Sequence, residues 1–147
     1  MNKLNSILLI DDDKITIYLQ RALLESLDVC QHVFVRKNGQ DALDFLANRQ
    51  ANGESFPDLI LVDLNLPVVD GFDFLEAYKR LRYHLQHPTL LYVLTTSHSP
   101  RDVERVAQIG IAPYLTKPLV EDNVWHMYEA SWEQKRKMRL QRIVNAR

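Results

Sequence analysis

The stretch DLILVDLNLP (residues 58–67) decides the fold, because four apolar residues run without a break into a carboxylate, Asp63. The run LILV is continuous rather than alternating, which is typical of a strand buried on both faces of a sheet. An ionised carboxylate at the end of such a strand costs free energy unless another group pairs with it. The stretch therefore predicts a covered strand with partners for Asp63 at its carboxyl end.

Four further apolar runs have the same character, at residues 6–10, 32–35, 90–94 and 112–115. Segments with apolar residues at helical spacing separate them, at residues 14–27, 40–49, 71–83, 99–110 and from about Glu121 onward. Strands and helices thus alternate, five of each. This order predicts an α/β fold, a doubly wound five-stranded parallel sheet with helices on both faces.

Length and composition describe an ordinary globular chain. The 147 residues fit one domain, and 46% hydrophobic and 25% charged residues with a net charge of −1 argue against disorder and against a whole-chain nucleic-acid binder. The lone Cys30 excludes an intramolecular disulfide and a cysteine-rich zinc site, and we expect it to pack as a small hydrophobe. The apolar run near the N-terminus is too short for a signal peptide or a membrane span, so we expect a cytoplasmic protein without membrane contact.

The C-terminal residues differ from the rest in charge. Residues 133–147 hold six Lys or Arg and one acid, whereas residues 1–132 hold 12 basic and 18 acidic groups. We therefore divide the chain into a domain at 1–132 and a basic extension of the last helix at 133–147, with no output domain. The basic tail from Lys135 to Arg147 could dock a partner or nucleic acid. We favour a solvated helix end whose cations suit the helix dipole, and do not expect nucleic-acid binding.

Polar side chains of complementary chemistry follow four of the five runs, at the point where each strand ends. They include Asp11, Asp12, Asp63, Asn65, Thr95, Ser97 and Lys117. In open α/β sheets ligands bind outside the carboxyl ends of the strands, so these residues should converge on one site. The run at 32–35 supplies no such group, which an edge position would explain.

The chemistry of this set favours magnesium and a phosphoryl group. Asp11, Asp12 and Asp63 would repel each other unless a hard cation bound among them, and the histidines lack the spacing of zinc ligands. Magnesium beside a lysine and a hydroxyl describes a site for phosphoryl oxygens. No glycine-rich nucleotide loop is present, so the phosphoryl group should come from another molecule, and a carboxylate could accept it as an acyl phosphate.

Four motifs, ILLIDDD, LILVDLNLPVVDG, VLTTS and YLTKP, stand in order along the chain. With them the sequence, from about residue 6 to 132, resembles the receiver domain of bacterial two-component response regulators, particularly the stand-alone single-domain type. The resemblance implies a flavodoxin-like (βα)5 three-layer sandwich, Mg²⁺ as cofactor and a role in a cytoplasmic phosphorelay. It also implies that Asp63 is the phosphoacceptor, that Asp11, Asp12 and the Asn65 carbonyl hold the metal with Asp63, and that Lys117 pairs with phosphoryl oxygens.

The same resemblance implies further roles around the site. Thr95 matches the switch hydroxyl and Tyr114 the switch aromatic residue, while Asn65 and Ser97 occupy positions that tune the lifetime of the phosphoryl bond. Pro118 matches a proline that commonly follows a cis peptide bond. We expect Thr95 to move towards the phosphoryl group and Tyr114 to turn into the space released, which alters the face built from the fourth helix, fifth strand and fifth helix.

These matches predict a signalling phosphoacceptor rather than an enzyme. The phosphodonor would be a phosphohistidine on a sensor histidine kinase or phosphotransfer protein, and the active form would contact a downstream effector or a second copy of the chain. An aspartate-nucleophile magnesium-dependent phosphatase is an alternative, although such enzymes typically need a second acid where Asn65 stands. A receiver-like binding module that works without phosphorylation is another, against which the complete set of site residues argues.

Overall fold

The computed structural model describes residues 1–146, which form five strands and six helices. The strands are β1 (Leu4–Ile10), β2 (Cys30–Arg36), β3 (Leu59–Val62), β4 (Leu90–Thr95) and β5 (Tyr114–Thr116). The helices are α1 (Lys14–Leu27), α2 (Gly39–Ala51), α3 (Gly71–Arg80), α4 (Tyr83–Gln86), α5 (Pro100–Ile109) and α6 (Glu121–Asn145).

All five strands pair in parallel in the order β2-β1-β3-β4-β5. Successive side chains of a strand point to opposite faces, so Leu8 and Ile10 join one core cluster while Ile7 and Leu9 join the other. Helices α2, α3 and α5 cover the first face, and α1 and α6 cover the second. The predicted doubly wound sheet is confirmed, with β2 at an edge as expected.

The fifth strand differs from its predicted position. Residues 112–115 were expected to form it, but β5 begins at Tyr114. Proline has no N–H to donate to a strand neighbour, so Pro113 cannot form a full set of ladder bonds, although its carbonyl accepts from Val93 N at 2.9 Å. The strand therefore starts two residues later than predicted and continues through Thr116.

The prediction of five helices is corrected to six. The segment predicted as one helix at 71–83 ends at Arg80, because Arg82 adopts a left-handed conformation with φ of 63°. A four-residue helix, α4, follows at once, and its first residue, Tyr83, is buried edge-to-face against Phe56 and Tyr78. The break thus turns an aromatic side chain into the core.

The last helix is continuous from Glu121 to Asn145. At its start the Asn123 side chain accepts a hydrogen bond from Val120 N at 3.1 Å, which satisfies a backbone donor that a valine cap cannot. Its first half packs on the sheet through Val124 and Met127, and Trp125 and Trp132 pack against the same core cluster. No helix within residues 1–146 is both long enough and apolar enough to cross a bilayer.

Candidate functional site

The candidate site lies where the order of strands reverses. After β1 the chain adds β2 on one side, and then returns to place β3 on the other side of β1. Two acids follow directly from these central strands, Asp11 after β1 and Asp63 after β3. Ladder bonds fix both backbones, since Asp11 N donates to Arg36 O at 3.1 Å and Asp63 N to Ile10 O at 3.0 Å. Such a reversal opens the crevice in which doubly wound folds bind ligands.

Lys117 directly follows β5 and reaches the two acids along the carboxyl edge of the sheet. Its Nζ donates to Asp11 Oδ2 at 2.6 Å and to Asp63 Oδ2 at 3.0 Å. Its backbone N donates to Thr95 O at 2.8 Å, which anchors the residue to the end of β4, and a cis peptide bond to Pro118 follows. The three charged side chains are only 3–11% exposed. The structure therefore brings together two predicted acids and the predicted lysine, which are far apart in the sequence.

The pocket holds more negative than positive charge, because Asp11 and Asp63 share the single ammonium of Lys117. Burial raises the pKa of Asp11, against the opposing hydrogen bonds from Lys117 and from Asp13 N. Burial alone would lower the pKa of Lys117, but its hydrogen bonds to Asp11 and Asp63 outweigh burial and raise it. Both directions favour the protonated forms, as expected where two buried carboxylates share one ammonium. Asp12, which is exposed, adds a third negative charge at the rim.

This donor set fits a hard divalent cation. Oxygen ligands from Asp11, Asp12 and Asp63 and a single ammonium leave a net charge of about −2, which Mg²⁺ would neutralise. Within residues 1–146, no three His, Cys, Asp or Glu side chains are arranged as a ready metal cluster. In the present arrangement it is the Lys117 ammonium that bridges Asp11 and Asp63.

Asn65 and Asp13 lie at the edge of the pocket. Asn65 is exposed, and its backbone N approaches Asp63 Oδ1 only at 3.4 Å. Asp13 caps α1, where its Oδ2 accepts from Thr16 N at 3.2 Å, and these hydrogen bonds from Thr16 lower the pKa of Asp13. Asp13 is thus a capping acid of α1. Among the described residues, the long contact from Asn65 N is the one hydrogen bond to Asp63 Oδ1.

The predicted switch residues form a second hydrogen-bonded group. Thr95 is fully buried at the end of β4, and its Oγ1 accepts from Ser97 N at 3.4 Å. The Ser97 hydroxyl donates to Asp102 Oδ2 at 2.7 Å, and the Tyr114 hydroxyl donates to Ser97 O at 2.8 Å. These contacts join β4, β5 and α5. In the described part of the chain no hydrogen bond links this group to Asp63, and the Ser97 side chain is engaged with α5.

The loop after Asp63 contains two residues that the sequence analysis did not single out. A Cβ added at Gly71 would lie 2.2 Å from Asp63 O, so only glycine lets α3 start this close to the Asp63 backbone. The Asp-Gly pair at 70–71 was the available signal, since Asp70 caps α3 by accepting from Asp73 N at 2.9 Å. Val68 has φ of 65° and is 84% exposed, a conformation rare for a β-branched residue.

Comparison with known proteins agrees with this geometry. The family model described as "Response regulator receiver domain" matches residues 7–129. The chain is 35% identical over 113 residues to the probable methanogenesis regulatory protein FilR2 of Methanothrix harundinacea, which covers 77% of this chain and 72% of that protein. It is 34% identical over 116 residues to the response regulator Rcp1 of Synechocystis sp., covering 76% and 75%.

Solved structures give the same result. A two-component response regulator from Cytophaga hutchinsonii superposes with a TM-score of 0.81, covers 90% of this chain and 99% of its own, and at 24% identity shows the fold alone. The Mn²⁺-bound form of the response regulator Rcp1 superposes with a TM-score of 0.62 at 31% identity, covering 84% and 88%. With a receiver model matched over most of its length and the acids and lysine of that family in one pocket, this chain belongs to the receiver domain family of two-component response regulators.

Proposed function

We propose that the protein accepts a phosphoryl group on Asp63 from a phosphohistidine of a histidine kinase or phosphotransfer protein, and signals by the resulting conformational change. The observation that carries this proposal is the contact of Lys117 Nζ with both Asp63 Oδ2, at 3.0 Å, and Asp11 Oδ2, at 2.6 Å. An ammonium held beside a carboxylate can stabilise the negative charge on the phosphoryl oxygens while the carboxylate becomes an acyl phosphate.

In the transfer, an oxygen of Asp63 attacks phosphorus and the phosphorus–nitrogen bond to the donor imidazole breaks. The electron pair of that bond leaves with the imidazole nitrogen. Asp63 Oδ2 is engaged by Lys117, so Oδ1, with only a 3.4 Å approach from Asn65 N, is the oxygen free to attack. Lys117 then stays within reach of the incoming phosphoryl oxygens, whose charge it offsets.

Asp11, Asp12, Asp63 and the Asn65 carbonyl are the groups that would hold Mg²⁺. When bound, the ion supplies positive charge next to the transferred phosphoryl oxygens. The chain's own contribution is to keep Asp11 and Asp63 buried and close, and to position Lys117 through its backbone bond to Thr95. No second acid stands at position 65 to serve as the general acid of a phosphatase.

The output is proposed to pass through Thr95 and Tyr114 to the face formed by α5, β5 and α6. An added phosphate brings about −1.5 to −2 charges and new acceptor oxygens, which would attract the Thr95 hydroxyl. Thr95 Oγ1 now accepts from Ser97 N, and Ser97 O holds the Tyr114 hydroxyl. A movement of Thr95 would therefore disturb the segment to which Tyr114 is tied. That face would then contact a downstream effector or a second copy of the chain.

The exposed side of α1 is our candidate surface for the phosphodonor. Ile15, Tyr18 and Leu19 are 71%, 72% and 59% exposed, an unusual share of apolar surface for one helix. Leu19 also lines a cavity of about 170 Å³ together with Lys117 and Thr96, so this apolar surface is continuous with the edge of the Asp63 pocket. A partner that seats its phosphohistidine over Asp63 would cover it.

The test is intact mass spectrometry after incubation with magnesium and a small phosphodonor such as acetyl phosphate. The wild-type protein should gain one phosphate, and Asp63→Asn should gain none. Asp44→Asn is the matched control, because Asp44 is an exposed acid on α2 away from the pocket, and it should be phosphorylated like the wild type. Sustained turnover of phosphate esters would instead indicate a phosphatase, and an absence of adduct with every donor would indicate a binding module.

A further inference from the structure

A second polar cavity lies at the opposite edge of the sheet from Asp63. It has a volume of about 430 Å³ and lies between the loop that precedes β3, the segment that follows α4, and the second half of α6. Asp58, at the amino end of β3, lines this cavity, whereas Asp63 follows the carboxyl end of the same strand. A four-residue strand spans about 13 Å, so the two sites are separate.

The second half of α6 turns basic side chains towards this cavity. Lys135, Arg139 and Arg142 follow each other at intervals of four and three residues, which places them on one face of the helix, and all three line the cavity. Met138 also lines the cavity, whereas the other apolar residues of the segment are 50–64% exposed; they are Leu140, Ile143 and Val144. A surface helix normally shows the reverse arrangement, with apolar residues towards the body. Arg139 and Arg142 remain exposed, so this basic face is open to solvent and accessible to an anion.

Within residues 1–146, one of the three cations has an acidic partner. Lys135 Nζ lies 2.7 Å from Asp58 Oδ1. Arg142 donates to the neutral carbonyl Gln86 O at 3.1 Å, which leaves its charge uncompensated. Arg139 makes no ion pair within residues 1–146. Two exposed guanidinium groups, three residues apart on one helix, thus line the same cavity without an acidic partner in the described part of the chain.

An aromatic pair forms another part of the cavity wall. Phe56 and His87 stack with their ring centroids 3.6 Å apart, and His87 Nε2 lies 2.8 Å from Gln50 Oε1. Burial lowers the pKa of His87, and the nearby positive charge of Arg142 lowers it further. An anion bound beside Arg142 would oppose the effect of that charge, so the imidazole can be used to detect anion binding.

We propose that this cavity binds a multivalent oxyanion, a phosphate or pyrophosphate group, between the guanidinium groups of Arg139 and Arg142. The planar guanidinium donates pairs of hydrogen bonds that match phosphate oxygens, and two of them converge on one concave space. Nucleic acid would require cations along an open surface that follows its backbone, whereas these line a recess. The proposal does not depend on phosphorylation of Asp63.

Titration calorimetry with inorganic pyrophosphate tests the proposal, with a chelator present so that no divalent ion carries pyrophosphate into the acidic pocket. Wild-type protein should bind saturably with a stoichiometry of one, and Asp63→Asn should bind equally well. The double variant R139Q/R142Q should bind at least about tenfold more weakly, because it loses two charge-assisted contacts. The matched control R136Q/K137Q removes the same charge from the same helix, but neither residue lines the cavity, so its affinity should change less than about threefold.

Nuclear magnetic resonance of the histidine rings supplies an independent readout. Bound pyrophosphate should raise the pKa of His87, while the exposed His98 and His126 should not respond. Repeating the titration with ADP and with vesicles of anionic phospholipid identifies whether free, nucleotide-borne or lipid-borne phosphate binds best. Non-saturable binding, equal losses in both double variants, or preferential and steeply salt-dependent binding of duplex DNA would each overturn the proposal.

Discussion

The two ends of β3 carry the same residue type in opposite situations. Asp58 precedes the strand and Asp63 follows it, and their exposed fractions are nearly equal at 7% and 8%. Each carboxylate is paired with one lysine, Asp58 with Lys135 at 2.7 Å and Asp63 with Lys117 at 3.0 Å. By residue type, burial and ion pairing alone, these two acids are equivalent.

Hydrogen bonding separates them. Asp58 Oδ2 accepts from Asn5 N at 2.6 Å and Ser6 N at 3.3 Å while Oδ1 holds Lys135, so both oxygens are occupied. Asp63 Oδ2 is held by Lys117, but Oδ1 has only the 3.4 Å approach of Asn65 N. A saturated carboxylate stabilises the fold, and one with spare acceptor capacity is available for chemistry. The comparison predicts that stability and phosphorylation depend on different ends of one strand.

The largest expected effect is a difference between the Asp63 and Asp58 variants in phosphorylation and in stability. Asp63→Asn should abolish the phosphate adduct but change the free energy of unfolding by less than about 1 kcal/mol, since Lys117 keeps Asp11 as a partner. Asp58→Asn should lower the free energy of unfolding by about 2–4 kcal/mol, because it leaves Lys135 without its counter-charge and disturbs two backbone donors. Urea denaturation and intact mass measure the two quantities. A destabilised D63N with an unaffected D58N would contradict the comparison.

The next effect concerns the backbone around Asp63. Gly71→Ala should lower the free energy of unfolding by about 2 kcal/mol and slow phosphorylation, because the new Cβ must push against Asp63 O. Gly53→Ala is the control: its φ of 67° makes alanine strained, at about 1 kcal/mol, but no atom lies within 4 Å of the added Cβ. G53A should therefore be phosphorylated at the wild-type rate. Equal phosphorylation rates in G71A and G53A would show that the close approach at Gly71 does not position Asp63.

Most of the sheet and of the acidic pocket could be predicted because both follow from local patterns. Uninterrupted aliphatic runs indicate strands covered on both faces, and parallel topology brings the residues that follow them to one edge. Residue type alone did not distinguish Asp58, whose two oxygens are both engaged, from Asp63. The position of each acid relative to its strand did so, since ligands bind at carboxyl ends.

Other features could not be predicted, because they depend on contacts between distant parts of the chain. The break before α4 arises from the left-handed Arg82, a conformation that its residue type does not favour. The orientation of the basic segment of α6 depends on which face of the helix meets the body, and helical spacing alone is compatible with either face. The charge run at 133–147 favoured a solvated helix end. Arg136, Lys137 and Arg139 are exposed, but Lys135 pairs with Asp58 and Arg142 donates to Gln86 O, contacts that the charge run alone does not predict.

A smaller effect is expected in the loop between Asp63 and α3. Val68 holds a left-handed φ of 65° while 84% exposed, so its side chain gains little from packing to offset the strain. Val68→Asn should raise the free energy of unfolding by about 1 kcal/mol, because asparagine tolerates this conformation better than a β-branched residue. Thermal unfolding should show a midpoint a few degrees higher. An unchanged or lower midpoint would mean that Val68 makes a stabilising contribution other than backbone conformation.

The smallest expected effect is the pH dependence of stability that His87 causes, at the amino ends of the strands. The pKa of His87 is lowered in the folded protein, by burial and by Arg142, so the unfolded chain takes up a proton near pH 6.5 that the folded protein resists. Stability that His87 contributes is therefore present above pH 6.5 and lost as the pH falls below it. Between pH 7 and 5 the free energy of unfolding of the wild type should fall more than that of His87→Gln, which keeps a polar group near Gln50 but does not titrate.

Urea denaturation at pH 5, 6 and 7 measures this difference, and R142Q supplies the control for its electrostatic part. Removing the Arg142 charge should bring the pKa of His87 closer to its ordinary value and reduce the slope, without eliminating the share due to burial. Parallel curves for wild type and H87Q would mean that the imidazole does not sense the cavity. Solvent would then screen the charge of Arg142 from His87, and the cavity beside Asp58 would lack the positive potential that distinguishes it from the acidic pocket around Asp63.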